Sequence, residues 1–357
     1  MNAIVDLSVI VVEARLSDPA VVAEIDAWVC AQPGSTPFHR PAWIMGVEAG
    51  TGQKAIMLVA RTPSGEINGV LPLTHIRSAL FGKALVGSGF AVDGGILASH
   101  RKAIAKLADA AWYQAEKLGC DTLELRGGEA PGGASWQNKA DAYLGFSRAL
   151  AADDEAELKA VPKRHRAEIR KGLGNDLQFE TGRDQRLRDI HYRLYCQSVH
   201  NLGTPVFPRA LFDAILDRFG ADADIAMVSK DGKPLSAVIS LYHGGACMPY
   251  WHGAGLEARA MRSNEVLYFT LMRQARERGL THFDFGRSKV GTGPAAWKKT
   301  WGFEGDPLGY HLRTAPGKET RDVNPLSPQY RRKVELWKKL PLPVANLIGP
   351  HIARGLG

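Results

Sequence analysis

The chain predicts a mixed α/β protein built as two tandem units of the same element order, followed by a basic helical tail. Three observations predict this. Residues 55–74 (AIMLVARTPSGEINGVLPLT) and 225–242 (IAMVSKDGKPLSAVISLY) repeat one pattern, two alternating or apolar runs split by turn residues. That is a hairpin signal. Residues 111–128 (AWYQAEKLGCDTLELRGG) and 271–288 (LMRQARERGLTHFDFGRS) repeat another, a helix closed by Gly119 or Gly279 and then a strand. Glycine just past a helix end takes the left-handed cap. Both repeats share an offset of roughly 160 to 170 residues, about one domain. At 357 residues the chain is also too long for a single core.

In chain order, residues 1–18 (MNAIVDLSVIVVEARLSD) read as a first strand, because they lack the basic start and small-residue cleavage site of a secretion signal. The first unit spans 1–140 and the second 141–314, beginning near Tyr143. Residues 163–172 (KRHRAEIRKG) read as a basic helix with Lys163, Arg166 and Arg170 on one face. An amphipathic helix over 189–200 leads into the loop NLGTPVFP (201–208), where Asn201 and Thr204 offer hydrogen bonds. After the second hairpin, strand 248–253 places Tyr250 and His252 on one face and Trp251 on the other by alternation. Residues 315–357 form a linker with prolines and then the tail.

Hydrophobic content of 45% and charged content of 23% are those of an ordinary soluble globular protein. No run of 18 apolar residues occurs, so no transmembrane helix is expected. Cys30, Cys120, Cys196 and Cys247 are far apart and form no CxxC pair. They read as buried thiols of a reducing cytoplasm, with no metal site or disulfide framework. The net charge is +8, yet residues 312–357 hold nine cations against three acids. The tail thus carries six of the eight charges, which argues against a nucleic-acid-binding body.

The segment 279–303 (GLTHFDFGRSKVGTGPAAWKKTWGF) is the strongest candidate site. It reads as a strand over 281–285, a glycine-spaced polar turn over 286–293, and a short helix opened by Pro294. A strand end, a helix N-terminus and the cations Arg287, Lys289 and Lys298 suit an anion, with Ser288 and Thr292 as polar partners. Acyl transfer to an amine needs a base and donors for the tetrahedral oxyanion. Asp284 and His252 are the candidate bases, although Asp284 suits an ion pair with Arg287 equally well. No Ser-His-Asp order, GxSxG turn or reactive-cysteine context points to a covalent acyl-enzyme.

Each half reads strand, helices, hairpin, strand, helix, strand, an order that resembles the GNAT type of acyltransferase fold. The pieces TPFHRPAW (36–43), LPLTHIRSALFG (71–82), FAVDGGILA (90–98), KRHRAEIRKG, NLGTPVFP, FDFGRSKVGTG (283–293) and WKKLPLPVANLIGP (337–350) carry a closer likeness. Through them the chain resembles the FemAB-related, BioF2-like acyltransferases with two GNAT-like folds in one chain, in particular the group associated with exosortase and PEP-CTERM systems. The resemblance implies two tandem GNAT-like N-acyltransferase folds acting in cell-envelope or exopolysaccharide biosynthesis. It implies acyl-CoA or aminoacyl-tRNA as co-substrate, with no tightly bound cofactor. It also implies a sugar-nucleotide, a lipid-linked precursor or the tRNA acceptor end as ligand of the basic residues. The approach to the helix near residue 263 (GLEARAMRSNEVLYF, 255–269) lacks the glycines that acetyl-CoA-dependent relatives use to cradle pyrophosphate. Arg259, Arg262 and Ser263 stand there instead. The alternative function is a non-catalytic scaffold of a membrane-bound polysaccharide system.

The tail reads as a basic helix over 330–339 (YRRKVELWKK) with Val334, Trp337 and Tyr330 on one face, stopped by Pro341. The apolar stretch VANLIGPHIARGLG after it is too short to span a bilayer. Two outcomes are open: docking on an anionic membrane surface, which would make a cytoplasmic protein peripheral at the inner membrane, or packing of Trp337 and Leu347 on the second unit.

Overall fold

The computed structural model describes residues 9–321 and 328–357, the side chains of 328–332 excepted. Its elements divide into two units. One comprises Met1–Ala140, Leu308–Val323 and Arg354–Gly357; the other comprises Asp141–Pro307 and Asn324–Ala353.

The first unit opens with the strand Ile10–Glu13 and two helices, Pro19–Ala31 and Pro41–Thr51. The expected hairpin follows as Lys54–Arg61 and Ile67–Ser78, antiparallel around residues 62–66. Strand Gly82–Gly87, helix Arg101–Lys117 and strand Thr122–Arg126 complete the repeat, the two strands being parallel. The helix lays its apolar stripe, Ala103, Leu107, Ala111 and Ala115, on the hairpin residues Ile56, Leu58, Leu71 and Leu73. Strand Tyr310–Thr314 then enters this sheet between Thr122–Arg126 and Gln137–Lys139. The sequence reading had assigned that strand to the second unit, because chain order gives no sign of a return across a domain. Its two ladders and the burial of Tyr310, His311 and Leu312 fix it in the first core.

The second unit has a seven-stranded sheet running Asp306–Pro307, Tyr143–Ala149, His282–Lys289, Ala246–Ala254, Lys233–His243, Ala223–Lys230, Gln178–Gly182. Its hairpin turns at Asp231 and Gly232, with Pro234 already inside the strand. Helices Lys163–Leu173 and Ser263–Glu277 cover one face; Gln185–Asn201 and Arg209–Phe219 cover the other. Strand and helix meet backbone to backbone at Gly253, where a Cβ would lie 2.3 Å from the Tyr195 nitrogen. Only glycine permits that approach. It brings the buried His191 ring against the strand, where its Nε2–H donates to the Trp251 carbonyl at 2.6 Å.

The tail forms two helices, Pro328–Lys338 and Leu342–Ala353, and both pack on the second unit. His200 Nε2–H donates to the Leu340 carbonyl at 2.9 Å, and Gly203 is in contact with Val334. Trp337 is half-buried, whereas Leu347 is exposed. The side chain of Tyr330, which the sequence places on that face, lies outside the described residues. Cys120, Cys196 and Cys247 are buried as expected, but Cys30 is exposed.

Candidate active site

The parallel strands Ala246–Ala254 and His282–Lys289 pair only at Ala246 with His282 and Cys247 with Phe283. Beyond these residues the two strands share no further pairs. The edge of residues 248–254 that faces the neighbouring strand therefore belongs to no ladder. A strand edge of this kind presents backbone donors and acceptors to whatever lies beside it.

Both strands are bulged where they part. On the first, Ile239 pairs with Trp251 and Ser240 with Pro249, so Tyr250 is the extra residue. The bulge overrides alternation. Tyr250 turns to the Trp251 side, its ring 4.9 Å from that indole and near Tyr195, and does not share the face of His252 as the alternation had placed it. On the second strand Asp284 pairs with Ser147 and Arg287 with Gly145, leaving Phe285 and Gly286 opposite Phe146 alone. Gly286 takes φ 63° to make this turn. The expected polar turn over 286–293 is thus strand as far as Lys289, and the connection is only residues 290–292, with Gly291 at φ 73°.

Helix Gly293–Thr300 begins one residue before the expected start, with Pro294 in its first turn, where a missing N–H costs no helical bond. From its second turn Lys298 reaches back into the bulge. Its ammonium donates to the carbonyls of Phe285 at 2.7 Å, Gly286 at 3.1 Å and Arg287 at 2.9 Å. An ammonium has three N–H donors, and all three are engaged here. Burial pulls its pKa down to about 8, against the attraction of Asp284. Asp284 accepts the Gly286 N–H at 2.6 Å, and burial raises its pKa in spite of that bond and of the Lys298 charge. Lys298 and Asp284 therefore lock the bulge from its two sides. The lysine that the sequence offered to a bound anion, and the aspartate it offered as a base, are both spent on the backbone. Arg287 does not pair with Asp284 but lies over the Tyr143 ring, 4.4 Å from its centroid. Ser288 is buried opposite Leu144, Lys289 pairs with Tyr143, and the Thr292 hydroxyl donates to the Lys289 carbonyl.

His252 occupies the other side of the gap, on the face covered by helix Ser263–Glu277. Its Nε2–H donates to Asn264 Oδ1 at 3.0 Å, and its ring lies 5.7 Å from that of Tyr268. Burial lowers its pKa to about 4, so the ring is neutral at physiological pH. With Nε2–H donated to Asn264, the lone pair is on Nδ1. Tyr268 stands between the strands, 5.1 Å from Phe285 and 5.3 Å from Trp297. The sequence reading misses Tyr268 and the contact of Asn264 with His252. Their positions one and five residues after Ser263, on the helix facing the strand of His252, were the available signal.

The remaining candidates disperse. Lys163 and Arg170 are exposed on helix Lys163–Leu173. Arg166 turns back along that helix and donates to the carbonyls of Lys159 and Val161, closing the end of helix Asp154–Ala160. Arg262 holds Glu168 at 2.8 Å and donates to the Ala260 carbonyl. Ser263 is buried against Ala258. Asn201 is exposed at the end of helix Gln185–Asn201, and Thr204 closes that helix by donating its N–H to the Val199 carbonyl. Thr204 sits in the loop on which the tail helices rest.

Residues 159–299, which contain the bulges, Lys298 and His252, match the model of the acetyltransferase (GNAT) domain. The second unit thus has a GNAT-like fold, and the match supports an acyltransferase. No curated protein sequence matches the chain. Among solved structures the chain is similar to FemX, with TM-score 0.68 and 15% identity over 92% of this chain and 100% of that one. It is also similar to a tandem GNAT protein from the clavulanic acid biosynthesis pathway, with TM-score 0.54 and 14% identity over 87% and 100%. A third is the C-terminal domain of a putative lysylphosphatidylglycerol synthetase from Agrobacterium fabrum, with TM-score 0.53 and 14% identity over 82% and 92%. These likenesses establish a mixed α/β, GNAT-like fold with two sheets.

Proposed function

We propose that the second unit transfers an acyl or aminoacyl group to an amine of a cell-envelope or exopolysaccharide precursor. The observation that carries this reading is the pair of bulged, parting strands, which leaves the edge of residues 248–254 beside the neutral imidazole of His252. In the reaction the amine nitrogen forms a bond to the donor's carbonyl carbon. The bond from that carbon to the donor's sulfur or oxygen breaks. The amine's proton passes to His252 Nδ1 and on to the leaving thiolate or alkoxide. Asp284 and Lys298 act as positioning residues that hold the second strand away from the first.

The donor class follows from mass. Precursors from cells with and without the protein, compared by mass spectrometry, should differ by the transferred group. An amino-acid increment identifies aminoacyl-tRNA as the donor, and a fatty or short acyl increment identifies acyl-CoA. Purified protein carrying His252→Gln should keep its fold and lose most of the transfer. Identical precursor masses in the two strains would sink the reading.

One observation favours a scaffold instead. Lys298, Arg166 and Arg262, the cations best placed by sequence for a donor's phosphates, all donate to protein acceptors. The scaffold reading holds if the combined His252→Gln and Tyr250→Ala variant restores polysaccharide output in a deletion strain.

A further inference from the structure

We infer that the outward face of the two tail helices is a docking surface for an anionic lipid bilayer. The inference stands apart from the transfer reaction, because it concerns a different face and is read by a different assay.

The inner face of the tail is settled. Ala345, Gly349 and Ala353 recur at one-turn spacing and are buried, and Gly349 lies against the backbone of Val206 at about 3 Å. Small residues let helix Leu342–Ala353 lie close on the second unit. This fixes which residues point away. Val344, Leu347 and Ile348 are 43%, 72% and 37% exposed, and Leu336 on the preceding helix is 66% exposed. Twelve large apolar side chains are exposed among the described residues, and four of them fall within residues 336–348. Single exposed leucines need no explanation, but a concentration of this kind marks an interaction surface.

The charge around it selects the occupant. Lys338 and Lys339 are exposed beside these residues, and the lone acid from 323 to the end of the chain, Glu335, pairs with Lys338 at 3.2 Å on the surface. Apolar residues on one helix face with lysines beside them match an anionic membrane surface, where aliphatic side chains enter the acyl boundary and ammonium groups meet lipid phosphates. No helix among the described residues is long and apolar enough to cross a membrane, so the contact is with the surface.

The test is co-sedimentation of the full chain with vesicles of phosphatidylcholine alone and of phosphatidylcholine with phosphatidylglycerol. Binding should require the anionic lipid and fall as salt rises. The double variant Val344→Glu, Leu347→Glu should abolish it. Lys338→Glu with Lys339→Glu should reduce it by about tenfold or more at low salt. All four positions are exposed, and circular dichroism should confirm the fold. Equal binding to neutral vesicles, or unchanged binding of Val344→Glu, Leu347→Glu, would overturn the inference. So would a concentration-dependent dimer that the same variant dissolves, since a second copy would then be the occupant.

Discussion

The two sheets share one spatial strand order along their main path and contrast at the end of their parallel strand pair. In the first unit the gap is sealed. Beyond the pairs Leu85–Leu123 and Val86–Glu124, Ile96 bridges Gly128, and Gly95 packs so closely that a Cβ there would lie 2.2 Å from the Gly127 carbonyl. Arg126 donates to Glu124, to the Ala91 carbonyl and to the Gly357 carbonyl, and Gly357 is itself packed on Phe90 and Ile76. In the second unit the pairing stops at Cys247 and Phe283, and among the described residues no strand continues it. Cation and carbonyls are used in both, but Arg126 fastens a seal whereas Lys298 props a bulge. On the proposed function, one copy of the fold serves stability and the other chemistry, and the end of one strand pair divides the roles.

The hardest break of this contrast is steric. Gly253→Ala sets a methyl 2.3 Å from the Tyr195 nitrogen, and neither backbone can yield. It should cost the second unit at least about 3 kcal/mol. Chemical denaturation followed by tryptophan fluorescence should show the second unit unfolding early while the first keeps its midpoint. A single coincident shift of both would mean the units do not unfold separately.

Next in size are the two cations. Lys298→Met removes the donor to three carbonyls, at roughly 2 to 4 kcal/mol. It should also end acyl transfer. Arg126→Met strips the seal at comparable cost and should leave the transfer rate of the folded protein near wild type. Equal loss of activity in both variants would erase the proposed division of roles.

Acid should separate the units more gently. Burial lowers both His191 and His252 to about 4. Their folded pKa lies below the unfolded value of about 6.5, so the unfolded chain takes up protons first as pH falls. Stability from these rings is complete above pH 6.5 and lost between there and 4, roughly 3 kcal/mol for the fully buried His191. Thermal melts across this window should show the second unit falling faster. The transfer rate of folded protein should show no step near 6.5.

The smallest effect belongs to Arg166. Arg166→Ala removes its bonds to the Lys159 and Val161 carbonyls, about 1 kcal/mol of stability. Donor affinity should not change, whether measured by calorimetry with acyl-CoA or with aminoacyl-tRNA. A clear loss of affinity would return this side chain to the binding surface.

Much of this architecture was readable beforehand, and the physical reason is periodicity. Both hairpins and both helix-glycine-strand runs follow from local pattern and fall where they were expected, and the helix at Pro294 starts one residue early, at Gly293. What escaped depends on partners distant in sequence. A bulge leaves no local mark, so alternation misplaced Tyr250. Lys298 looks like a solvated lysine until three carbonyls 11 to 13 residues away gather around it. The segments TPFHRPAW and FAVDGGILA, which carried the family likeness, turn out to serve the seal. Trp43 Nε1–H donates to the Gly89 carbonyl, and Ser88 Oγ–H donates to the Phe38 carbonyl.

The strand Tyr310–Thr314 has a temporal consequence. A ribosome releases the chain from its N-terminus, so residues 1–140 emerge with one edge of Thr122–Arg126 uncovered and Gln137–Lys139 without the strand between them. The sheet of the second unit can close first, since it is complete by Pro307. The first-born sheet is therefore completed after the second, waiting until then with an exposed strand edge of the kind that recruits chaperones or aggregates.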